Sequence, residues 1–136
     1  MRVVIDTIVF ISSFVAAGTL SNLIDSWKRG RITLCLSKPI VEEYVEVFKR
    51  LGLGNDDEIN EILYLFARGF NSIFTAKTPR LEIPENSLHY NKFLECAVAL
   101  KAKYIVSGEK EALAVQDYMG IKLVTPKQFV DLMEQK

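Results

Sequence analysis

The sequence predicts an α/β fold, a doubly wound parallel sheet with helices on both faces. Three observations carry this. Four short apolar runs are too brief for helices, helical spacing fills the stretches between them, and several of those stretches open with a cap residue or a proline. Arg2 to Ile5 is a β-branched run and reads as the first strand. From Thr19 to Arg29 the apolar positions Leu20, Leu23, Ile24 and Trp27 recur at helical spacing, and Gly30 ends the segment. Ile32 to Leu36 reads as a buried strand. Ser37 then supplies an N-cap, with Pro39 inside the first turn of a helix reaching about Leu51.

Asn55 is placed to cap the next helix, with Asp56, Asp57 and Glu58 at the positive end of its dipole and an end near Phe70. The stretch Lys77 to Ser87, with Pro79 and Pro84, reads as a surface connection. A helix over Leu88 to Lys101, a strand over Tyr104 to Ser107, a turn at Gly108 and a helix over Lys110 to Met119 follow. Lys122 to Val124 is the last strand. Thr125 and Pro126 open the final helix, whose apolar face holds Phe129, Val130, Leu132 and Met133.

At 136 residues and 49% hydrophobic, the chain suits one domain, residues 1–136, with a packed core. Lys and Arg number 17 and so do Asp and Glu, which excludes a polybasic nucleic-acid coat, an acidic tail and a disordered polyampholyte. An enzyme acting on nucleic acid is not excluded, because an active site needs only a local arrangement of charge. Cys35 and Cys96 lie far apart with no Cys/His cluster beside them, so they read as core thiols rather than a disulfide or zinc framework. The opening apolar stretch resembles a secretory signal, but Asp6 interrupts it, and no segment has the apolar length to span a membrane. The expected location is the cytoplasm.

In open α/β sheets ligands bind beyond the carboxyl ends of the strands, so acids at those ends merit the closest reading. Asp6 closes the first strand, and Glu109 follows the Tyr104 to Ser107 strand within one glycine. Asp6 reads equally as a cap and as a functional acid, since a carboxylate in the path of an apolar strand is costly unless paired or metal-bound. On the Pro39 to Leu51 helix, Glu43 lies nearest the apolar arc while Glu42 and Glu46 project outward. Glu95 departs from the inward stripe of Tyr90, Phe93, Leu94 and Ala97. His89, the lone histidine, reads as a surface residue or a ligand. No glycine-rich phosphate loop and no nucleophile elbow occurs, which removes the usual nucleotide-cofactor and Ser/His/Asp readings.

In order and spacing the blocks MRVVIDT, SKPIVEEYVEVFKR, NKFLECAVALKAKYIVSGEKEAL and GIKLVTPKQFVDLM resemble the PIN-domain ribonucleases, in particular the VapC-like toxin components of toxin–antitoxin systems. The resemblance covers essentially the whole chain. It implies a five-stranded parallel sheet of order 3-2-1-4-5, with acids at its carboxyl edge binding Mg²⁺ or Mn²⁺ and hydrolysing RNA phosphodiesters. Such hard ions favour carboxylate and water oxygens. Carried over by position, Asp6, Glu43 and Glu109 match family acids and are the implied catalytic and metal-binding residues, with Glu95 as a helper and Thr7 completing the family's DT pair.

Two positions depart from the family pattern. Ile8 stands where an asparagine is usual, and Tyr90 where an aspartate precedes the NKFLE block. These departures motivate a rival reading, a PIN domain without catalysis that binds an antitoxin, RNA or a second copy of itself. The resemblance also implies a homodimer and a small antitoxin as partners, with no membrane. RNA contact would draw on local cations, for which Lys28, Arg29 and Arg31, Lys49 and Arg50, and Lys101 and Lys103 are candidates.

Overall fold

A computed structural model describes residues 1–15, 18–52, 55–81 and 91–135. The element order is β1 (Arg2–Ile5), α1 (Thr7–Val15), α2 (Thr19–Lys28), β2 (Thr33–Ser37), α3 (Lys38–Leu51), α4 (Asp56–Ala67), β3 (Ser72–Thr75), α5 (Asn91–Leu100), β4 (Tyr104–Val106), α6 (Lys110–Val115), β5 (Asp117–Tyr118), β6 (Ile121–Val124) and α7 (Pro126–Glu134). The sheet has six strands in the order β3-β2-β1-β4-β6-β5. Five run parallel, and β5 pairs antiparallel with β6.

The five-strand order expected from the resemblance is therefore corrected by one short edge strand. Gln116, with φ 61°, turns the chain out of α6 at Val115, so the helix stops short of the expected Met119 and Asp117–Tyr118 folds back beside β6. Two further elements escaped the sequence reading, α1 and β3. The start of α5 falls at Asn91 among the described residues, and the expected positions Leu88, His89 and Tyr90 lie outside them.

The central strand β1 is apolar throughout Val3, Val4 and Ile5, all fully buried, as a strand covered on both faces must be. It pairs with β2 on one side and β4 on the other, so the strand order reverses here and a crevice opens beyond the carboxyl ends of β1 and β4. The register Ile5↔Val106 then sets Asp6 and Ser107 side by side, just past the last paired residues. The Asp6 amide donates to the Val106 carbonyl at 3.0 Å and continues the ladder by one bond.

Aromatic packing dominates the face carrying α1, α2 and α3. Phe10 stacks on Tyr44 with centroids 4.1 Å apart and meets Phe14, Trp27, Phe48 and Phe66 at tilted or edge-on angles. Asn71, in the left-handed region at φ 44°, ties this layer to the sheet. Its carbonyl accepts from Trp27 Nε1 and Leu34 N, and its amide donates to the Trp27 carbonyl. Two of the three expected caps form: Asn55 accepts from Glu58 N, and Thr125 and Gln128 make a reciprocal capping box at the start of α7. The third does not, because Ser37 holds the N-cap position of α3 with extended backbone but its buried hydroxyl makes no bond to the helix. Burial pushes the Cys35 thiol up to about 11 and the Cys96 thiol up to about 12, in keeping with core thiols. No single helix among the described residues is long and apolar enough to cross a membrane.

Candidate active site

Asp6 follows the end of β1 and also starts α1. Its Oδ1 accepts from Val9 N at 2.9 Å while its carbonyl accepts from Phe10 N, which is the N-cap geometry. The cap reading and the functional reading thus meet in one residue. Its Oδ2 accepts from the Ser107 hydroxyl at 2.5 Å, and Ser107 Oγ in turn accepts from the Glu109 amide at 3.1 Å. This chain of bonds fixes the turn after β4 against the end of β1. Only 4% of Asp6 is exposed. Burial pushes its carboxyl above the ordinary range, hydrogen bonds from Ser107 and Val9 pull it back, and the nearby Glu109 charge pushes it up again.

Glu43 approaches from α3. The helix buries Ile40, Tyr44, Val47 and Phe48 against the core, which leaves Glu43 half-buried at the edge of the arc while Glu42 and Glu46 remain exposed. Thr7 donates its hydroxyl to Glu43 Oε2, and Lys92 on α5 places its Nζ 2.6 Å from Glu43 Oε1. Behind Glu43, the buried Tyr44 hydroxyl donates to the Ile5 carbonyl, so α3 is tied to the residue preceding Asp6. Burial, followed by the Asp6 charge, holds the Tyr44 phenol well above its ordinary value.

Asp6, Thr7, Ile8, Glu43, Val47, Arg50, Phe93 and Glu109 line one open cavity of about 160 Å³. A larger cavity, about 560 Å³, lies between α6, β6 and α7, but its lining is aliphatic, hydroxyl and amide side chains with Lys122 and a single acid, Asp131. Chemistry favours the smaller one. The structure thus brings Asp6, Glu43 and Glu109 to one place and leaves Glu95 outside it. Glu95 lies about 4.5 Å along the helix beyond Lys92 and accepts from the Leu81 amide at 3.0 Å.

Asp6, Glu43 and Glu109 share this cavity without forming a close three-acid group. Among the described residues, no three Asp, Glu, His or Cys side chains sit where they could hold a single ion. Glu43 turns its two oxygens onto Lys92 and Thr7. Asp6 and Glu109 nonetheless fit a small divalent cation, since Mg²⁺ commonly takes one or two carboxylates and keeps several waters. The donors on Asp6, the Val9 and Gly108 amides and the Ser107 hydroxyl, are all neutral.

Ser107 and Lys92 were not singled out from the sequence. Ser107 had a readable signal, a small hydroxyl residue closing an apolar strand beside Gly108 and Glu109. Lys92 had a weaker one, a cation as the second residue of α5, where the helix dipole disfavours positive charge unless an acid answers it. Of the candidate cations, Arg50 reaches the cavity, whereas Arg31 donates to the Met133 carbonyl and braces α7.

A protein-family model described as PIN domain matches residues 2–111. No curated protein and no solved structure matches the chain.

Proposed function

Because the chain belongs to the PIN-domain family, whose fold is nuclease-like, we propose that the acid cavity is the active site of a divalent-metal-dependent endoribonuclease. One observation carries the reading: two carboxylates, Asp6 and Glu109, are held within electrostatic reach of each other at the β1/β4 crevice, with Asp6 buried against its own preference for water. Like charges brought together at a functional cleft are stabilised by a cation.

Asp6 and Glu109 would hold Mg²⁺ or Mn²⁺. Such an ion would supply Lewis-acid stabilisation of phosphoryl oxygens and a more acidic water. The protein's own part is orientation. Val9 N and Ser107 Oγ fix the Asp6 carboxylate, and the Glu109 amide on Ser107 fixes the turn that presents Glu109. At the rim, Arg50 offers a guanidinium to a phosphodiester, and its weak pairing with Glu46 at 3.9 Å is easily exchanged for phosphate. Ile8, 53% exposed on the same rim, presents an apolar edge to an entering nucleotide. A VapC-like toxin role, with a small antitoxin and a second copy of the chain as partners, belongs to this reading through the resemblance alone.

The alternative, a binding module without hydrolysis, is favoured by the Lys92 contact, which already neutralises one of the three acids. Incubating single-stranded RNA with the purified chain separates the two. Cleavage should require Mg²⁺ or Mn²⁺, stop with EDTA, and fall at least about a hundredfold in Asp6→Asn. Cleavage that survives EDTA overturns the metal-dependent reading, and RNA bound but left intact with either ion favours the binding module.

A further inference from the structure

The geometry points to Lys92 as a built-in cation of the acid cavity, one that withholds Glu43 from metal ligation and leaves Asp6 and Glu109 to take a single divalent ion. This rests on the reading of the cavity as a divalent-ion site and goes beyond it, because it divides the three acids by role.

Asp6 and Glu43 already hold different kinds of partner. Asp6 accepts from neutral donors, the Val9 amide and the Ser107 hydroxyl with the Gly108 amide beside them, and neutral donors leave its charge for a cation to answer. Glu43 accepts from an ammonium at 2.6 Å on Oε1, with the Thr7 hydroxyl on Oε2. A divalent ion approaching the same oxygen would meet Lys92 at close range, and two cations sharing one carboxylate oxygen repel strongly in a partly desolvated cleft. Lys92 and Glu43 are equally shielded, each with a side chain 29% exposed, so the pair is not a loose surface contact of the kind made by Lys38 and Glu42.

Lys92 sits on α5 and Glu43 on α3, and the two helices pack on each other, so the pair also joins two elements that border the cavity. Lys92 is therefore a positioning residue, acting on the metal site through Glu43.

Calorimetric titration with Mn²⁺ alone, without RNA, tests this on the full chain. Lys92→Met and Lys92→Gln should each bind Mn²⁺ at least about fivefold more tightly than the wild type, because a cation is removed and a carboxylate released. Adding Glu43→Gln to Lys92→Met should return affinity to within about twofold of the wild type, since the pair is removed whole. Lys92→Arg, which keeps the charge, should also stay within about twofold. Thermal unfolding of each variant confirms that it is folded before titration. The inference is overturned if both neutral variants bind Mn²⁺ no more tightly, if the double variant loses about tenfold or more, which would make Glu43 a ligand, or if no form binds Mn²⁺. Metal affinities that follow the expected pattern in a protein that cleaves no RNA would sink the nuclease reading and leave this one standing; RNA cleavage with metal affinity indifferent to Lys92 would do the reverse.

Discussion

Asp6 and Glu43 line the same cavity from opposite walls, Asp6 closed in by backbone amides and Ser107, Glu43 half-open to solvent and answered by Lys92. The Asp6 wall is a strand end, where β1 and β4 deliver side chains by register and burial comes from the sheet. The Glu43 wall is the edge of an amphipathic helix, where an acid can keep contact with water and choose a long, flexible partner. A buried carboxylate with neutral donors is held in place but left electrostatically unsatisfied, whereas a half-buried one with an ammonium is satisfied already. The unsatisfied wall is therefore the one suited to recruit a cation.

Removing the joint between the walls should have the largest effect. Phe10 on α1 is fully buried and stacks on Tyr44 of α3, whose hydroxyl reaches the carbonyl of Ile5 just before Asp6. Phe10→Ala removes the centre of the aromatic layer and should cost about 3–5 kcal/mol in urea unfolding. A loss below about 1 kcal/mol would mean that the layer collapses freely onto the gap and that the walls are not held together by this stack.

The next effect has the opposite sign. Burial raises the Asp6 carboxyl above its ordinary value, so the folded chain binds this proton more readily than the unfolded chain does. Stability from that group is fully present below the unfolded value of 3.8 and is lost as pH rises through the folded one. Asp6→Asn keeps the acceptor for Val9 N and can donate to Ser107 Oγ, but carries no charge. At pH 7 it should stabilise the fold by about 1 kcal/mol, a common yield where a functional group is held at a cost. Thermal unfolding across pH would show the gain shrinking as pH falls and vanishing below the unfolded value. A variant less stable than the wild type at neutral pH would mean that the buried charge is already compensated.

The same contrast decides how much of the molecule could be read from its sequence. The strands β1, β2, β4 and β6 are visible as apolar runs, and the strand-end acids Asp6 and Glu109 follow from them, because one covalent step past a strand is a position the sequence states directly. Glu43 is visible through the helical period of its neighbours. Missed elements lack such a signal. In α1, β-branched Ile8, Val9, Ile11 and Val15 alternate with Ser12 and Ser13, residues that favour other local structure, and the helix forms because Asp6 caps it and Phe10 and Ile11 are buried. Ser72–Thr75 has two apolar residues in four, too few to register as a run, yet β2 pairs with all of it. The partner of Glu43 was hidden for a different reason: Lys92 is 49 positions away, and a contact between side chains on two helices leaves no periodic trace in either.

The smallest effect is expected on the open wall. Thr7 is buried and donates its hydroxyl to Glu43 Oε2, so Thr7→Val keeps the shape and deletes the bond. A hydrogen bond to a charged group is ordinarily worth about 1.5–3 kcal/mol, but Glu43 is open enough for water to take the vacated place, and the added methyl of valine gains from burial. The net loss should be only about 0.5 kcal/mol, with Thr7→Ser close to zero. A loss near 2 kcal/mol in Thr7→Val would show that water does not reach Glu43 and that both walls are closed. The contrast between the two acids would then rest on the charge of Lys92 alone, since solvent access would no longer separate them.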